Sequence, residues 1–141
     1  MDTLSILGWR EWASLPELGI DRIKCKIDTG ARTSALHAFF IEYDARSNMV
    51  YFDIHPLQHR IDIEQHCSAP VHDQRIVTDS GGHKEKRFVI KTTIILGDFS
   101  WPIEVTLTDR DNMRFRMLLG RSALNKKFIV NSAMSYLIGK P

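Results

Sequence analysis

The chain has 141 residues, of which 43% are hydrophobic and 26% are charged. This composition predicts one soluble globular domain over residues 1–141, long enough to bury about 68–70% of its unfolded surface. The net charge of +2 is too small to indicate a nucleic-acid partner. No apolar run approaches the ~20 residues of a membrane span, and the first residues lack the features of a signal peptide. We therefore expect a cytoplasmic protein without a membrane partner, whose Cys25 and Cys67 are free thiols.

Short stretches with strand character alternate with turn residues along the whole chain. We predict strands at residues 6–12, 20–27, 35–43, 49–55, 75–79, 84–95, 101–108, 113–119 and 134–138. Residues 55–73 form the least regular region, and only residues 121–127 favour a helix, which is short. Many short strands separated by turns predict an all-β fold, either a barrel or a sandwich.

The stretch Asp28-Thr29-Gly30-Ala31 follows directly on the strand predicted at residues 20–27. It supplies a carboxylate, a hydroxyl and a residue without Cβ, where two chain segments can approach closely. Taken alone, Asp-Thr-Gly is more often a surface turn than a site. However, residues 116–121 repeat the form of an apolar strand that ends in glycine, here Gly120, and this second motif favours a built site.

Together the two motifs resemble those of the aspartic peptidases, most closely the single-domain retropepsin-like ones. These proteins carry one D-T-G-A loop per chain and one apolar-apolar-Gly-Arg motif near the C-terminus. The longer pattern also resembles a bacterial family labelled as ATP-dependent zinc proteases, through the motifs Gly8-Trp9-Arg10-Glu11-Trp12, Lys26 to Ala38, and Leu107-Thr108-Asp109-Arg110. The resemblance implies a retropepsin-like closed barrel with one short helix near the C-terminus, and peptide-bond hydrolysis as the activity.

An aspartic mechanism needs two carboxylates about 3 Å apart that share one proton. The chain has a single Asp-Thr-Gly, so the second carboxylate has to come from a second copy, with Asp28 of each copy at the two-fold axis of a homodimer. The resemblance implies that Thr29 bonds across this axis and that Gly30 offers its backbone to a peptide or protein substrate. It also implies that Gly120 packs beside the loop that begins at Asp28. We call residues 28–33 the Asp28 loop.

Ala31, Arg32 and Arg121 are further candidates for substrate binding. Retropepsins usually have an acidic residue at the position of Arg32, which pairs with the arginine of the second motif. Two arginines cannot form that pair. Either Asp109 or Asp111 replaces the missing acid, or both arginines face the cleft and attract an acidic substrate.

Ser80, Gly81 and Gly82, followed by His83, lie between two predicted strands. Glycines in this position fit the tip of a flap that closes over the cleft and contacts the substrate. An ordinary hairpin turn fits the same residues equally well.

The zinc label finds little support in the sequence, which contains neither H-E-x-x-H nor C-x-x-C. His55, His59, His66 and His72 are the alternative zinc ligands, but Pro56 disrupts the helical spacing of the first two. We expect solvated loop histidines and no cofactor. There is also no phosphate-binding G-x-x-x-x-G-K-[ST] motif, so a role for ATP would belong to a partner protein.

The sequence thus predicts an aspartic-type endopeptidase that acts as a homodimer. One alternative is a zinc-dependent peptidase that uses the loop histidines. The other is a non-catalytic domain of the same fold, which holds a peptide in its cleft.

Overall fold

The computed structural model describes residues 4–56, 63–79, 81–110, 114–124 and 127–139. Over these residues the chain forms strands joined by short turns, a 3₁₀ turn at Pro16–Leu18, and one helix, α1, at Arg121–Leu124. The strands are β1 (Ser5–Gly8), β2 (Arg10–Leu15), β3 (Ile20–Ile27), β4 (Ser34–His37), β5 (Phe39–Asp44), β6 (Met49–Ile54), β7 (Gln65–Pro70), β8 (Asp73–Thr78), β9 (Lys84–Leu96), β10 (Phe99–Thr108), β11 (Met117–Leu119) and β12 (Phe128–Asn131). The predicted all-β class is confirmed. No helix in the described part of the chain is long and apolar enough to cross a membrane.

The main sheet has the strand order β10–β4–β11–β3–β2–β9–β8. Because β9 also pairs with β10, six of these strands form a closed ring of pairings, and β8 stays outside it as an edge strand. Strands β5, β6 and β7 form a separate antiparallel sheet, and β1 pairs in parallel with β12.

Alternating burial along the strands places one hydrophobic core between these sheets. In β3 the side chains of Ile23, Cys25 and Ile27 point inward, while Lys26 between them is exposed. The other fully buried large side chains come from every part of the chain and include Leu7, Leu36, Phe52, Ile90, Ile94, Leu107 and Met117. Cys25 and Cys67 are free thiols, as predicted, and burial raises the pKa of Cys25 to about 12.

Two of the predicted strands are interrupted by tertiary contacts that the local pattern does not show. The strand predicted at residues 6–12 breaks at Trp9, whose N–H donates to the carbonyl of Met134 at 2.8 Å. The strand predicted at residues 35–43 breaks at Ala38, whose N–H donates to the carbonyl of Thr108 at 2.9 Å. Phe40, just beyond this break, has a positive φ of 51°.

The interpretation of residues 55–73 as irregular was wrong for their second half. Strand β7 occupies Gln65–Pro70 and pairs along its whole length with β6. Cys67 and Ala69 are buried while His66 and Ser68 are exposed, a period-two pattern. Its small and polar residues gave too weak a hydrophobic signal to be recognised in the sequence.

The predicted strand at residues 134–138 was also wrong. The side chain of Glu11, which is fully buried, accepts hydrogen bonds from the backbone N–H groups of Leu137 at 3.0 Å and Ile138 at 3.2 Å. The same carboxylate accepts the N–H of Gly8 at 2.7 Å. A carboxylate therefore satisfies the backbone donors that a neighbouring strand would otherwise satisfy, and the segment stays irregular.

Candidate active site

The Asp28 loop and Gly120 meet because β3 and β11 are parallel neighbours, with Ile27 opposite Leu119. Both strands therefore end at the same edge of the sheet. The backbone N–H of Asp28 donates to the carbonyl of Leu119 at 2.9 Å. Past this point the N–H of Arg121 donates to the carbonyl of Ala31 at 2.8 Å. Backbone hydrogen bonds thus fix the loop against the start of α1.

Gly120 packs directly against the Asp28 loop, as predicted. A Cβ on this residue would lie 2.6 Å from the backbone carbon and oxygen of Thr33 and 3.0 Å from the carbonyl oxygen of Ala31. No larger residue fits without moving the backbone. The N–H of Gly120 donates to the hydroxyl of the buried Ser34 at 3.0 Å, so this close approach leaves no donor unsatisfied.

The carboxylate of Asp28 is half-buried at the top of this loop. Its Oδ1 atom accepts a hydrogen bond from the N–H of Gly30 at 3.0 Å. Within the described residues its Oδ2 atom has no hydrogen-bond partner. Thr29 and Gly30 are exposed, so their hydroxyl and backbone groups are accessible from outside the subunit.

Asp28 opens into a cleft of about 1100 Å³. The Asp28 loop and the start of α1 form one wall, and β8 forms the other. Five arginines against three carboxylates line the cleft: Arg32, Arg75, Arg87, Arg110 and Arg121 against Asp28, Asp79 and Glu104. This excess of positive charge favours an anionic ligand.

The structure brings most of the predicted site residues to this cleft. Its lining includes Asp28, Gly30, Ala31, Arg32 and Arg121. Thr29 lies in the same loop and accepts a hydrogen bond on its carbonyl from Nη1 of Arg121 at 3.0 Å. Gly81 and Gly82 lie in the turn between β8 and β9 and are not among the lining residues, and Ser80 falls outside the described residues.

Arg32 and Arg121 are both exposed on the cleft wall. Among the described residues neither forms an ion pair, and Asp109 does not replace the acid that retropepsins usually carry. Asp111, the other candidate, lies outside the described residues. The described geometry therefore agrees with the alternative in which both arginines face the cleft.

The sequence patterns did not reveal three cleft arginines, because these come from β8, β9 and the residues just after β10. Arg75 and Arg87 are cross-strand neighbours, and like charges in this position need counter-charges. Arg75 pairs with Asp73 and with Glu104, both at 2.7 Å. Its hydrogen bond is the main reason that the pKa of Glu104 is lowered. Arg87, which is buried, pairs with Glu85 at 2.9 Å.

Known proteins share both the sequence pattern and the fold of this chain. The family model described as "Retropepsin-like aspartic endopeptidase RimB" matches residues 6–141. The chain belongs to the RimB-like family. This confirms the resemblance to retropepsin-like proteins, whereas the label of an ATP-dependent zinc protease is not confirmed.

Curated relatives of this RimB-like chain are much longer proteins. The chain is 42% identical over 141 residues to a "Probable alpha-L-glutamate ligase" of Shewanella pealeana, covering 99% of this chain and 31% of that protein. A protein of the same name from Desulfotalea psychrophila is 45% identical over 139 residues, covering 96% of this chain and 30% of that protein. The chain thus spans less than a third of the length of these relatives.

A solved structure shares the fold of this RimB-like chain. It is the crystal structure of Lpg0085, a protein of unknown function from Legionella pneumophila, with a TM-score of 0.78 and 24% sequence identity. The match covers 96% of this chain and 99% of the Legionella chain. At this identity the likeness shows the fold alone.

Three of the four histidines considered as alternative zinc ligands, those in the described ranges, have other partners in this RimB-like structure. His66 pairs with Asp53, which raises the pKa of His66, and His72 lies 3.1 Å from Glu104. The ring of His55 stacks on Phe39 with 4.5 Å between centroids. The described ranges contain no group of three or more potential metal ligands, and His59 lies outside them. That the chain needs no metal ion for its activity stays a prediction.

Proposed function

We propose that this chain is an aspartic-type endopeptidase in which Asp28 of two copies activates the attacking water. The observation that carries the proposal is the direct contact between the Asp-Thr-Gly motif at Asp28 and the Gly-Arg motif at Gly120. Asp28 hydrogen-bonds Leu119 through its backbone, Gly120 packs on the loop, and the carboxylate opens into the cleft. Family membership supports the same chemistry.

The proposed reaction uses one ionised and one protonated Asp28. The ionised carboxylate accepts a proton from water as the water oxygen attacks the peptide carbonyl carbon. The protonated carboxyl donates its proton to the carbonyl oxygen, which gives a tetrahedral diol. The carboxyl that took the water proton then donates it to the amine nitrogen as the C–N bond breaks, and a hydroxyl of the diol returns a proton to the other carboxylate. Within each chain, the hydrogen bond from Gly30 to Oδ1 orients the carboxylate. The tight packing of Gly120 keeps the loop in place between the two steps.

Dimerisation follows from this proposal because each chain carries one Asp-Thr-Gly. The exposed hydroxyl of Thr29 is then available to bond across the two-fold axis. The outer face of the β1–β12 pair is a candidate for the surface that a second copy covers. Ile6 and Ile129 are register partners on this face and are 51% and 52% exposed. A second copy that covers these two side chains would remove their apolar surface from water.

We further propose that the substrates are acidic peptides rich in α-linked glutamate. Arg32 and Arg121 of the cleft support this class of substrate, because neither forms an ion pair among the described residues and guanidinium groups bind carboxylates strongly. The curated relatives support it too, since their name describes a ligase for α-L-glutamate. A peptidase with this specificity would remove residues of the kind that such a ligase adds.

The test compares hydrolysis of an oligoglutamate peptide with that of the matching oligoglutamine peptide. We expect kcat/KM at least tenfold higher for oligoglutamate, and a preference that shrinks as salt is added. Arg32→Gln should reduce this preference, while Arg46→Gln, in an exposed turn between β5 and β6, should leave it unchanged. Equal rates on both peptides would refute the acidic specificity.

A second candidate function is a non-catalytic domain that holds glutamate chains for a ligase. The observation that favours it is the name of the relatives together with the small share of their length that the chain spans. Tight binding of oligoglutamate by the wild-type chain without any turnover would support this candidate instead.

A further inference from the structure

The hairpin of β8 and β9 leaves the body of the sheet at Val89. Strand β9 pairs with β10 from Leu96 as far as Val89, which lies opposite Thr106. Among the described residues, positions 84–88 of β9 pair only with β8, which is itself an edge strand. This outer half of the hairpin, which we call the lid, comprises the described residues 73–79 and 81–88. A two-stranded hairpin is marginally stable by itself, so the lid needs other contacts to stay docked.

Side chains from β10 and the residues just after it supply these contacts. The hydroxyl of Thr108 donates to the carboxylate of Glu85 at 3.1–3.2 Å. Nη1 of Arg110 lies 3.5 Å from Oδ2 of Asp79. Thr108 and Arg110 belong to the Leu107-Thr108-Asp109-Arg110 motif, which the proposed chemistry leaves without a role. In this structure the motif contacts the lid at two points.

Asp79 joins the lid turn to the body of the subunit. Its Oδ1 atom accepts hydrogen bonds from the N–H groups of Gly81 and His83, both at 2.9 Å. Its Oδ2 atom faces Arg110. One oxygen thus organises the turn, and the other forms the ion pair with the body.

Arg110 also lines the cleft, where its side chain is 38% exposed. Its guanidinium group can therefore meet a carboxylate of a ligand in the cleft as well as that of Asp79. A substrate carboxylate that binds this guanidinium bidentately through Nη1 takes the N–H groups that face Asp79, so the two interactions compete.

We infer that the Asp79–Arg110 ion pair is a latch that holds the lid over the cleft, and that a carboxylate of the substrate opens it by competing with Asp79 for Arg110. The competition rests on the acidic substrate proposed above, whereas the latch does not. Arg110 is in this account a positioning residue for the lid and a determinant of specificity.

Hydrogen exchange in the unliganded protein tests the latch. Asp79→Asn keeps an oxygen acceptor for the turn and removes the charge that Arg110 faces. We expect lid amides to exchange about two- to five-fold faster in Asp79→Asn and in Arg110→Gln, the range for a partly exposed ion pair. The double variant should show no further increase, because both changes remove one interaction. Unchanged exchange in the lid, or effects that add, would overturn the latch; Arg46→Gln is the charge-matched control.

Peptide binding tests the competition, measured in an Asp28→Asn background to prevent turnover. Asp79→Asn should tighten the binding of tetraglutamate about two- to five-fold and leave tetraglutamine unaffected, while Arg110→Gln weakens tetraglutamate. Equal effects on the two peptides would overturn the competition. If tetraglutamate does not bind at all, the acidic substrate is wrong, and hydrogen exchange still decides the latch.

Discussion

The two walls of the cleft are held in different ways. The Asp28 loop is fixed by backbone hydrogen bonds to Leu119 and Arg121 and by the close packing of Gly120. The lid is held to the body by side chains, through Thr108 and Arg110 and through the pair of Arg75 with Glu104. Backbone contacts of the first kind are insensitive to salt, whereas partly exposed ion pairs, such as those of Arg110 and Arg75, are weak and screened.

The difference matches the two tasks that the proposed function assigns to the walls. A carboxylate pair works only if its members keep their geometry to within a fraction of an ångström, which requires a rigid loop. A peptide has to enter and leave, which requires a wall that opens.

The largest expected effect on stability comes from a glycine-to-alanine substitution at Gly120, compared with the same substitution at Gly82 in the turn of the lid. Gly120→Ala forces a methyl group to within 2.6 Å of the backbone of Thr33, and we expect it to destabilise the protein by about 3 kcal/mol and abolish activity. Gly82→Ala places its methyl group in open space at a φ of +83°, which should cost about 1 kcal/mol. Urea unfolding measures both variants.

Equal destabilisation by the two substitutions would contradict the proposed difference between the walls. So would a Gly120→Ala variant that keeps wild-type stability, because the Asp28 loop would then have room to move.

A smaller effect is expected from pH, and it should be confined to the lid. The hydrogen bond from Arg75 is the main reason that the pKa of Glu104 lies below its ordinary value, and His72 adds to this effect. A carboxyl whose pKa is lowered stabilises the docked lid above its ordinary pKa, and this contribution is lost as pH falls through the lowered value. We therefore expect protection of the lid amides to fall below about pH 4, while that of β3 stays constant. A parallel loss of protection in β3 would indicate global unfolding instead.

Strand β3 and the joint beneath Asp28 could be predicted from sequence for identifiable reasons. The alternation from Ile20 to Ile27 is regular, and the observed strand has the predicted bounds. The meeting of Gly120 with the Asp28 loop followed from the resemblance of both motifs to those of retropepsins. No contact with a distant part of the chain changes the strand that the local alternation predicts at residues 20–27.

The cluster of charges on the opposite wall could not be predicted, because these residues come together only through the order and register of the strands. Arg75 and Arg87 become neighbours only through the β8–β9 register, and Glu104 reaches Arg75 from β10. The C-terminal segment was mistaken for a strand for a related reason, since the carboxylate that holds it belongs to Glu11, more than a hundred residues away. The available signal was the position of this carboxylate, which lies within the strand predicted at residues 6–12 and in the motif Gly8-Trp9-Arg10-Glu11-Trp12.

The central claim, that two copies of Asp28 form one catalytic pair, is tested most directly by mixing subunits. Wild-type and Asp28→Asn chains are mixed in varied ratios under conditions in which dimers exchange, and oligoglutamate hydrolysis is measured at constant total protein. If every working site needs Asp28 from both copies, activity falls as the square of the wild-type fraction, to about a quarter in an equal mixture. If each chain acts alone, activity falls linearly to about half, and that result would contradict the shared pair.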